Sequence, residues 1–139
     1  MMAMSYGTAY VASVSLSNPA QTIKAFMEAE AFEGPSIIIA YAHCIAHGID
    51  MTKGIDSQKK AVACGHWPLY RYNPERAAQG LNPLQLDSKA PTLSFEEFAE
   101  TQNRFRALKK VNPDAAEALI ERANAWARRR FALYEKLAN

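Results

Sequence analysis

The feature that most constrains this chain is a strand, helix, strand signature within its first forty-two residues. Tyr10, Ala12, Val14 and Leu16 alternate with Val11, Ser13 and Ser15 at period two, the spacing of a strand with two distinct faces. Asn18-Pro19 follows. Asn18 can cap a helix with its side-chain oxygen, and Pro19 suits the first helical position, where its missing N–H would have no partner anyway. Gln21, three residues after Asn18, completes a capping-box spacing. Ile23, Phe26, Met27 and Glu30 carry a stripe at helical spacing to the Gly34-Pro35 stop. The unbroken apolar run Ile37 to Ala42 then predicts a strand buried on both faces of a parallel sheet. Together these predict a βαβ unit with the right-handed crossover that such units adopt.

Downstream the pattern is weaker. Ile55, Lys59, Val62 and Ala63 fit a helix starting near Asp56, and Trp67 to Tyr72 fits a short aromatic strand that Pro68 pushes toward a sheet edge. Asn73-Pro74, Gly80, Asn82-Pro83 and Ala90-Pro91 punctuate about twenty residues without periodicity. A loop that long is uncommon inside a compact domain, so residues 73–92 predict an extended arm lying on another part of a larger protein. Ser94 with Glu97 makes a second capping box, opening a helix that presents Phe95, Phe98, Phe105 and Leu108 on one side. Asn112-Pro113 ends it and caps a last helix through Leu119, Ala123, Trp126, Ala127, Phe131, Tyr134 and Leu137, whose aromatic stripe reads as core. The expected fold is α/β: a partial parallel sheet, made of the βαβ unit plus an edge strand, with a long irregular arm and a carboxy-terminal helical extension.

Composition narrows the function classes. At 139 residues one domain is expected. No stretch approaches the ~20 apolar residues of a membrane span, and Met1 to Tyr6 lacks the basic, apolar and small-residue order of a secretory signal. A cytoplasmic location without a membrane partner is the expectation. Residues 1–100 hold 7 Lys/Arg against 10 Asp/Glu, and residues 101–139 hold 9 against 4. That mildly basic tail, including Arg128-Arg129-Arg130, reads as a solvated helix face rather than a nucleic-acid surface, because three consecutive helical residues spread around the helix at about 100° per residue instead of forming one patch.

In open parallel sheets ligands bind beyond the carboxyl ends of the strands, and Cys44 stands just past the apolar run. His43, Cys44 and His47 offer imidazole and soft donors within five residues. From spacing alone Cys44 is open between a core thiol, a nucleophile and a ligand. A zinc site would need Cys64 or His66, whose spacing from Cys44 matches no paired zinc knuckle. A cysteine hydrolase would need a base and an orienting third group. There is no GxGxxG and no P-loop.

Three longer segments carry a resemblance. Gly34 to Gly48 (GPSIIIAYAHCIAHG), Trp67 to Pro74 (WPLYRYNP) and Asn82 to Pro91 (NPLQLDSKAP) are similar to the last portion of pyruvate:ferredoxin (flavodoxin) oxidoreductases. Gln102 to Phe105 and Met1 to Val14 fit as well, so the likeness covers nearly the whole chain. That family oxidatively decarboxylates pyruvate with coenzyme A, using thiamine diphosphate, magnesium and iron–sulfur clusters to pass electrons to ferredoxin or flavodoxin. The resemblance implies that residues 1–72 are the later half of a thiamine-diphosphate-binding-type domain and residues 73–139 its arm and helices. It also implies that Cys44 completes the four-thiolate ligation of the 4Fe-4S cluster nearest the cofactor, while Cys64 matches no ligand and stays a structural thiol.

The family's Gly-Asp-Gly motif, its downstream asparagine and the other three cluster cysteines do not occur among these residues. The expectation is therefore a segment of a larger, homodimeric enzyme, inactive and free of cofactor by itself, whose partners are the remaining domains and the electron acceptor. The alternative is a non-catalytic interaction module derived from that family.

Overall fold

The computed structural model describes residues 1–139. After a single turn, α1 (Met2–Ser5), the chain enters β1 (Tyr10–Val14), crosses through α2 (Pro19–Ala31) and returns in β2 (Ser36–Ala40), parallel to β1 with Tyr10 opposite Ser36 and Val14 opposite Ala40. The βαβ unit therefore forms as its punctuation dictates. The Asn18 side chain accepts from the Gln21 amide at 3.2 Å and Pro19 opens the helix. The reciprocal half of the capping box does not form, because the Gln21 side chain donates instead to the Ser13 carbonyl and to Asp87.

The sheet is mixed and four-stranded, in the order β2-β1-β3-β4. β3 (Tyr70–Tyr72) runs antiparallel beside β1, and β4 (Leu84–Leu86) runs antiparallel beside β3. Two expectations are corrected here. The β3 strand is interior rather than an edge, because Pro68 lies just before the ladder, where its carbonyl accepts from the Ser13 hydroxyl at 2.8 Å. The apolar run at Ile37 to Ala42 is not a twice-buried strand. β2 ends at Ala40 and is itself an edge, with Ile37 and Ile39 41% and 43% exposed. Within these residues nothing lies beyond it. The strand buried at every position is β1, the one with alternating polarity, because elements cover both of its faces.

The predicted arm is likewise more ordered than expected. It forms a turn of helix, α4 (Glu75–Ala78), reverses at Gly80 in the left-handed region (φ +71°), and re-enters the sheet as β4 with Leu84 buried. Asp87 then pairs with Arg71 at 2.8 Å, and the Ser88 hydroxyl accepts from the Leu69 amide. The arm is thus stitched to its own domain by polar groups, which apolar periodicity could not report.

The remaining helices are α3 (Gly54–Ala63), α5 (Phe95–Ala99), α6 (Asn103–Val111) and α7 (Pro113–Ala138). Ser94 and Glu97 form the full capping box of α5, and the Asn112 side chain caps α7. The single helix expected from Phe95 to Leu108 is broken into α5 and α6 at Gln102, which is extended (φ −119°, ψ 121°) and bonds elsewhere. Three apolar clusters hold the layers together. Val11, Tyr70 and Leu84 meet Tyr134 of α7, with the Tyr70 and Tyr134 rings stacked at 4.9 Å. Tyr10, Ala12 and Val14 meet Ala25 of α2 on the opposite face. Ala61 and Cys64 meet Phe95 and Phe98 between α3 and α5. Each well-packed aromatic pair of this kind adds about 0.5–1.5 kcal/mol beyond its area burial.

The expected solvated arginine face is also modified. Arg128 and Arg129 are exposed, but the Arg130 guanidinium lies 4.2 Å from the Trp126 ring centre and donates to the carbonyls of Gly65 and His66. It clamps the turn between α3 and β3. No helix of the chain is long and apolar enough to cross a membrane.

Candidate functional site

Because β1 and β2 are parallel, their carboxyl ends emerge side by side, and the His43 to Gly48 loop follows directly from β2. The Cys44 backbone is still extended (φ −129°, ψ 133°), and its carbonyl accepts from the His47 amide at 3.0 Å, starting a short 3-10 turn over Ile45–His47. Gly48 ends that turn in the left-handed region (φ +66°). A side chain there would be strained, and its Cβ would lie 2.6 Å from Cβ of Asn103.

Both histidines of the loop are already committed. His43 Nδ1 is 3.0 Å from the Gln58 amide nitrogen, and the Gln58 oxygen accepts from the Ser15 hydroxyl at 2.7 Å. Gln58 is buried, and with its oxygen toward Ser15 its amide N–H donates to Nδ1 of His43. The ring lies against the start of α3, where a Cβ on Gly54 would stand 2.3 Å from His43 Nε2; only glycine fits that approach. His47 Nδ1 is 2.7 Å from Oε1 of the buried Gln102, and therefore donates to it. Gln58 and Gln102, from two different elements, pin the loop on either side of Cys44. Sequence spacing singled out neither glutamine, because a buried amide leaves no periodic signature.

Between the two pinned rings, Cys44 is exposed and its thiol is free. Cys64 contrasts at every point. It caps the carboxyl end of α3, is 2% exposed, and its thiol points at the Ala61 carbonyl 3.5 Å away. Burial pushes its thiol pKa up, so it holds its proton and is a poor nucleophile or ligand.

His66 is also a structural ring. It stacks on Phe98 at 5.1 Å and packs against Phe95 at 5.4 Å. Burial, and then the Arg130 charge, hold its pKa below the ordinary value near 6.5. The unfolded chain therefore binds the extra proton between these two pKa values, and stability is full above about pH 6.5 and falls as the pH drops through the window. The wild-type melting temperature should decline from about pH 7.5 to about pH 5, and His66→Phe should flatten that decline. Thermal scans of both proteins across that range test it; equal slopes would remove His66 as the cause.

Chemically, the loop offers one accessible soft donor at the carboxyl end of a parallel strand pair. No group of three or more His, Cys, Asp or Glu side chains is gathered anywhere in the chain. Zinc held by Cys44 with Cys64 or His66 is not supported, since both of the latter are packed in the α3–α5 core. A cluster requiring four thiolates is compatible with Cys44 as one donor only; the remaining donors would come from other residues.

No family model matches the chain. Over its full length it is 55% identical to a segment of a pyruvate-flavodoxin oxidoreductase from Nostoc sp.. Over 99% of its length it is 52% identical to a segment of a pyruvate:ferredoxin oxidoreductase from Moorella thermoacetica. Over 98% of its length it is 46% identical to part of a mitochondrial pyruvate dehydrogenase [NADP(+)] from Euglena gracilis. The chain spans 12% of the length of the first two and 8% of the third.

Proposed function

We propose that this chain is a segment of a pyruvate:ferredoxin (flavodoxin) oxidoreductase, contributing one cluster ligand and a large part of the packing to an enzyme that oxidatively decarboxylates pyruvate to acetyl-CoA. The observation that carries this reading is the 42–55% identity of essentially the whole chain to segments of relatives named pyruvate-flavodoxin or pyruvate:ferredoxin oxidoreductase. In this reading residues 1–72 are the later half of a thiamine-diphosphate-binding-type domain, and residues 73–139 are its stitched arm and helices. The parent is a cytoplasmic homodimer that uses thiamine diphosphate with magnesium.

Cys44 would hold one iron of a 4Fe-4S cluster, which supplies stepwise electron transfer when bound. The contribution of this chain is positional. Gln58 and Gln102 each fix one neighbouring imidazole through its Nδ1, and between them Cys44 is the exposed thiol that the loop presents. The pinned loop keeps that thiol at the end of β2 rather than letting it sweep through solvent, which lowers the entropy cost of ligation.

The relatives' names carry three acceptors: flavodoxin, ferredoxin and NADP+. Segments similar to this chain at 55%, 52% and 46% identity therefore stand in relatives with three differently named acceptors.

The test is activity with and without the rest of the enzyme. The purified 139-residue chain should show no pyruvate-dependent dye reduction and no thiamine diphosphate binding at micromolar cofactor, whereas the complete enzyme should show both. Turnover by the 139-residue chain alone, or a complete enzyme indifferent to pyruvate, would sink the reading.

A further inference from the structure

We infer that Gln102 is the positioning residue of the Cys44 loop, and that the break between α5 and α6 serves to bring it there. The inference rests on the proposed function only for the group that Cys44 binds.

The break supplies the first observation. An unbroken helix from Phe95 onward would send the Asn103 N–H to the Ala99 carbonyl, four residues back. Instead the Gln102 N–H takes that carbonyl at 3.0 Å, and Asn103 donates to the Gly48 carbonyl at 3.3 Å. A helical bond is thus exchanged for one to the end of the Cys44 loop. The residue at the break is also poorly suited to its local task. Helix starts favour Ser, Thr, Asp or Asn, whereas Gln102 stands at the N-cap of α6 and makes no cap bond with its side chain. A local rule broken without local gain marks a residue kept for a different purpose.

The side chain shows that purpose. Gln102 is buried, and an amide in such a place is costly unless it is bonded. Its Oε1 accepts from His47 Nδ1 at 2.7 Å. Its amide N–H side lies toward the Tyr41 hydroxyl: burial raises the Tyr41 pKa, and a hydrogen bond from Gln102 opposes the rise. Tyr41 and His47 stand three residues before and three residues after Cys44. One side chain therefore ties the two limbs of the loop together across the cysteine, while Gln58 reaches only the first limb, through His43.

The first turn of α6 completes the grip. The Phe105 ring meets the His47 ring edge-on at 6.5 Å, and the Asn103 Cβ leaves no room for a side chain at Gly48. Three of the four residues from Gln102 to Phe105, one of the segments that carry the family resemblance, thus act on a single loop. Were Gln102 there for packing alone, an apolar side chain of similar length would avoid the cost of burying an amide.

Gln102→Met, Gln102→Glu and Asn112→Ala, each made in the 139-residue chain and in the assembled enzyme, test this. Methionine keeps the length and removes the acceptor. Glutamate restores an oxygen at the same reach but not the N–H. Asn112→Ala deletes the α7 cap and touches no residue of the loop, which controls for a general loss of stability. The His47 and Gly48 amides bond to the Cys44 and Ile45 carbonyls. In the 139-residue chain both should exchange at least about 10-fold faster with methionine and return to near the wild-type rate with glutamate. His47→Phe, which keeps a ring against Phe105 and removes the donor, should accelerate the Gly48 amide in the same way. In the assembled enzyme the paramagnetic resonance signal of the reduced cluster should shift or broaden with methionine and recover with glutamate. Unchanged loop exchange with methionine, or equal acceleration by Asn112→Ala, would overturn the inference. Where Cys44→Ser erases the cluster, a signal that ignores methionine overturns it too. An unaltered cluster in Cys44→Ser defeats the functional reading alone, and the exchange rates then decide the clamp by themselves.

Discussion

Replacing Arg71 with leucine should lower the unfolding free energy of the chain by about 3–5 kcal/mol, the usual cost of removing one partner from a buried charge network. Arg71 is 5% exposed at the centre of the sheet. Its Nε and one terminal nitrogen grip Asp87 as a fork at 2.9 and 2.8 Å, and its other terminal nitrogen pairs with Glu28. Glu28 in turn accepts from the Tyr10 hydroxyl at 2.9 Å, and Asp87 accepts from Gln21 at 3.0 Å. One guanidinium thus joins β3, α2, β1 and the segment after β4. The hydrogen bonds to Asp87 keep it firmly charged, with its pKa above the ordinary value.

Leucine would remove the cation and leave two partly buried carboxylates facing each other. Arg71→Lys should cost less than leucine but more than zero, since an ammonium keeps the charge and cannot reproduce the fork. In urea the midpoint should fall with the slope unchanged, and the melting temperature should drop by roughly 10–20 °C for the leucine variant. A leucine variant as stable as wild type would show that the network is energetically neutral, as buried ion pairs can be when apolar packing replaces them.

In the assembled enzyme, Cys44→Ser should abolish most acceptor reduction while leaving thiamine diphosphate binding largely intact. The substitution exchanges a soft thiolate for a hydroxyl that stays protonated near neutral pH and binds iron weakly. Iron content and the cluster's spectroscopic signal should fall together with electron exit. The exposed position of Cys44 supplies the control, because the same substitution in the 139-residue chain should shift stability by no more than about 0.5 kcal/mol. A normal cluster signal and normal electron transfer in the serine variant would reduce Cys44 to a loop thiol with no ligand role.

The candidate site was legible at one residue and hidden at the rest. Cys44 could be singled out because a parallel strand followed by a loop has a known functional end, and the resemblance then supplied a reason for a thiol there. Its neighbours His43 and His47 looked equally qualified as donors. What distinguishes them is that Nδ1 of each ring is held by a buried glutamine, Gln58 in α3 for His43 and Gln102 in the break between α5 and α6 for His47. Those contacts join residues fifteen and fifty-five positions apart, beyond the reach of any local pattern.

What the amino-acid order determined by itself was local: the Asn18-Pro19, Ser94–Glu97 and Asn112-Pro113 helix starts, the strand, helix, strand order of the first forty residues, and the two-faced apolarity of Ile37 to Ile39. Each depends on groups within a few residues, so the chain needs no tertiary partner to express it. The tertiary structure decided sheet order, the interior place of β3, the stitching of the arm through Asp87, the break at Gln102, and the different fates of Cys44 and Cys64. All of these depend on which distant backbone edge or buried charge comes to lie alongside. The β2 edge belongs to both lists. Its composition called for cover on both faces, and the folded chain covers only one edge and part of one face, because within these residues no further strand is present to pair with it.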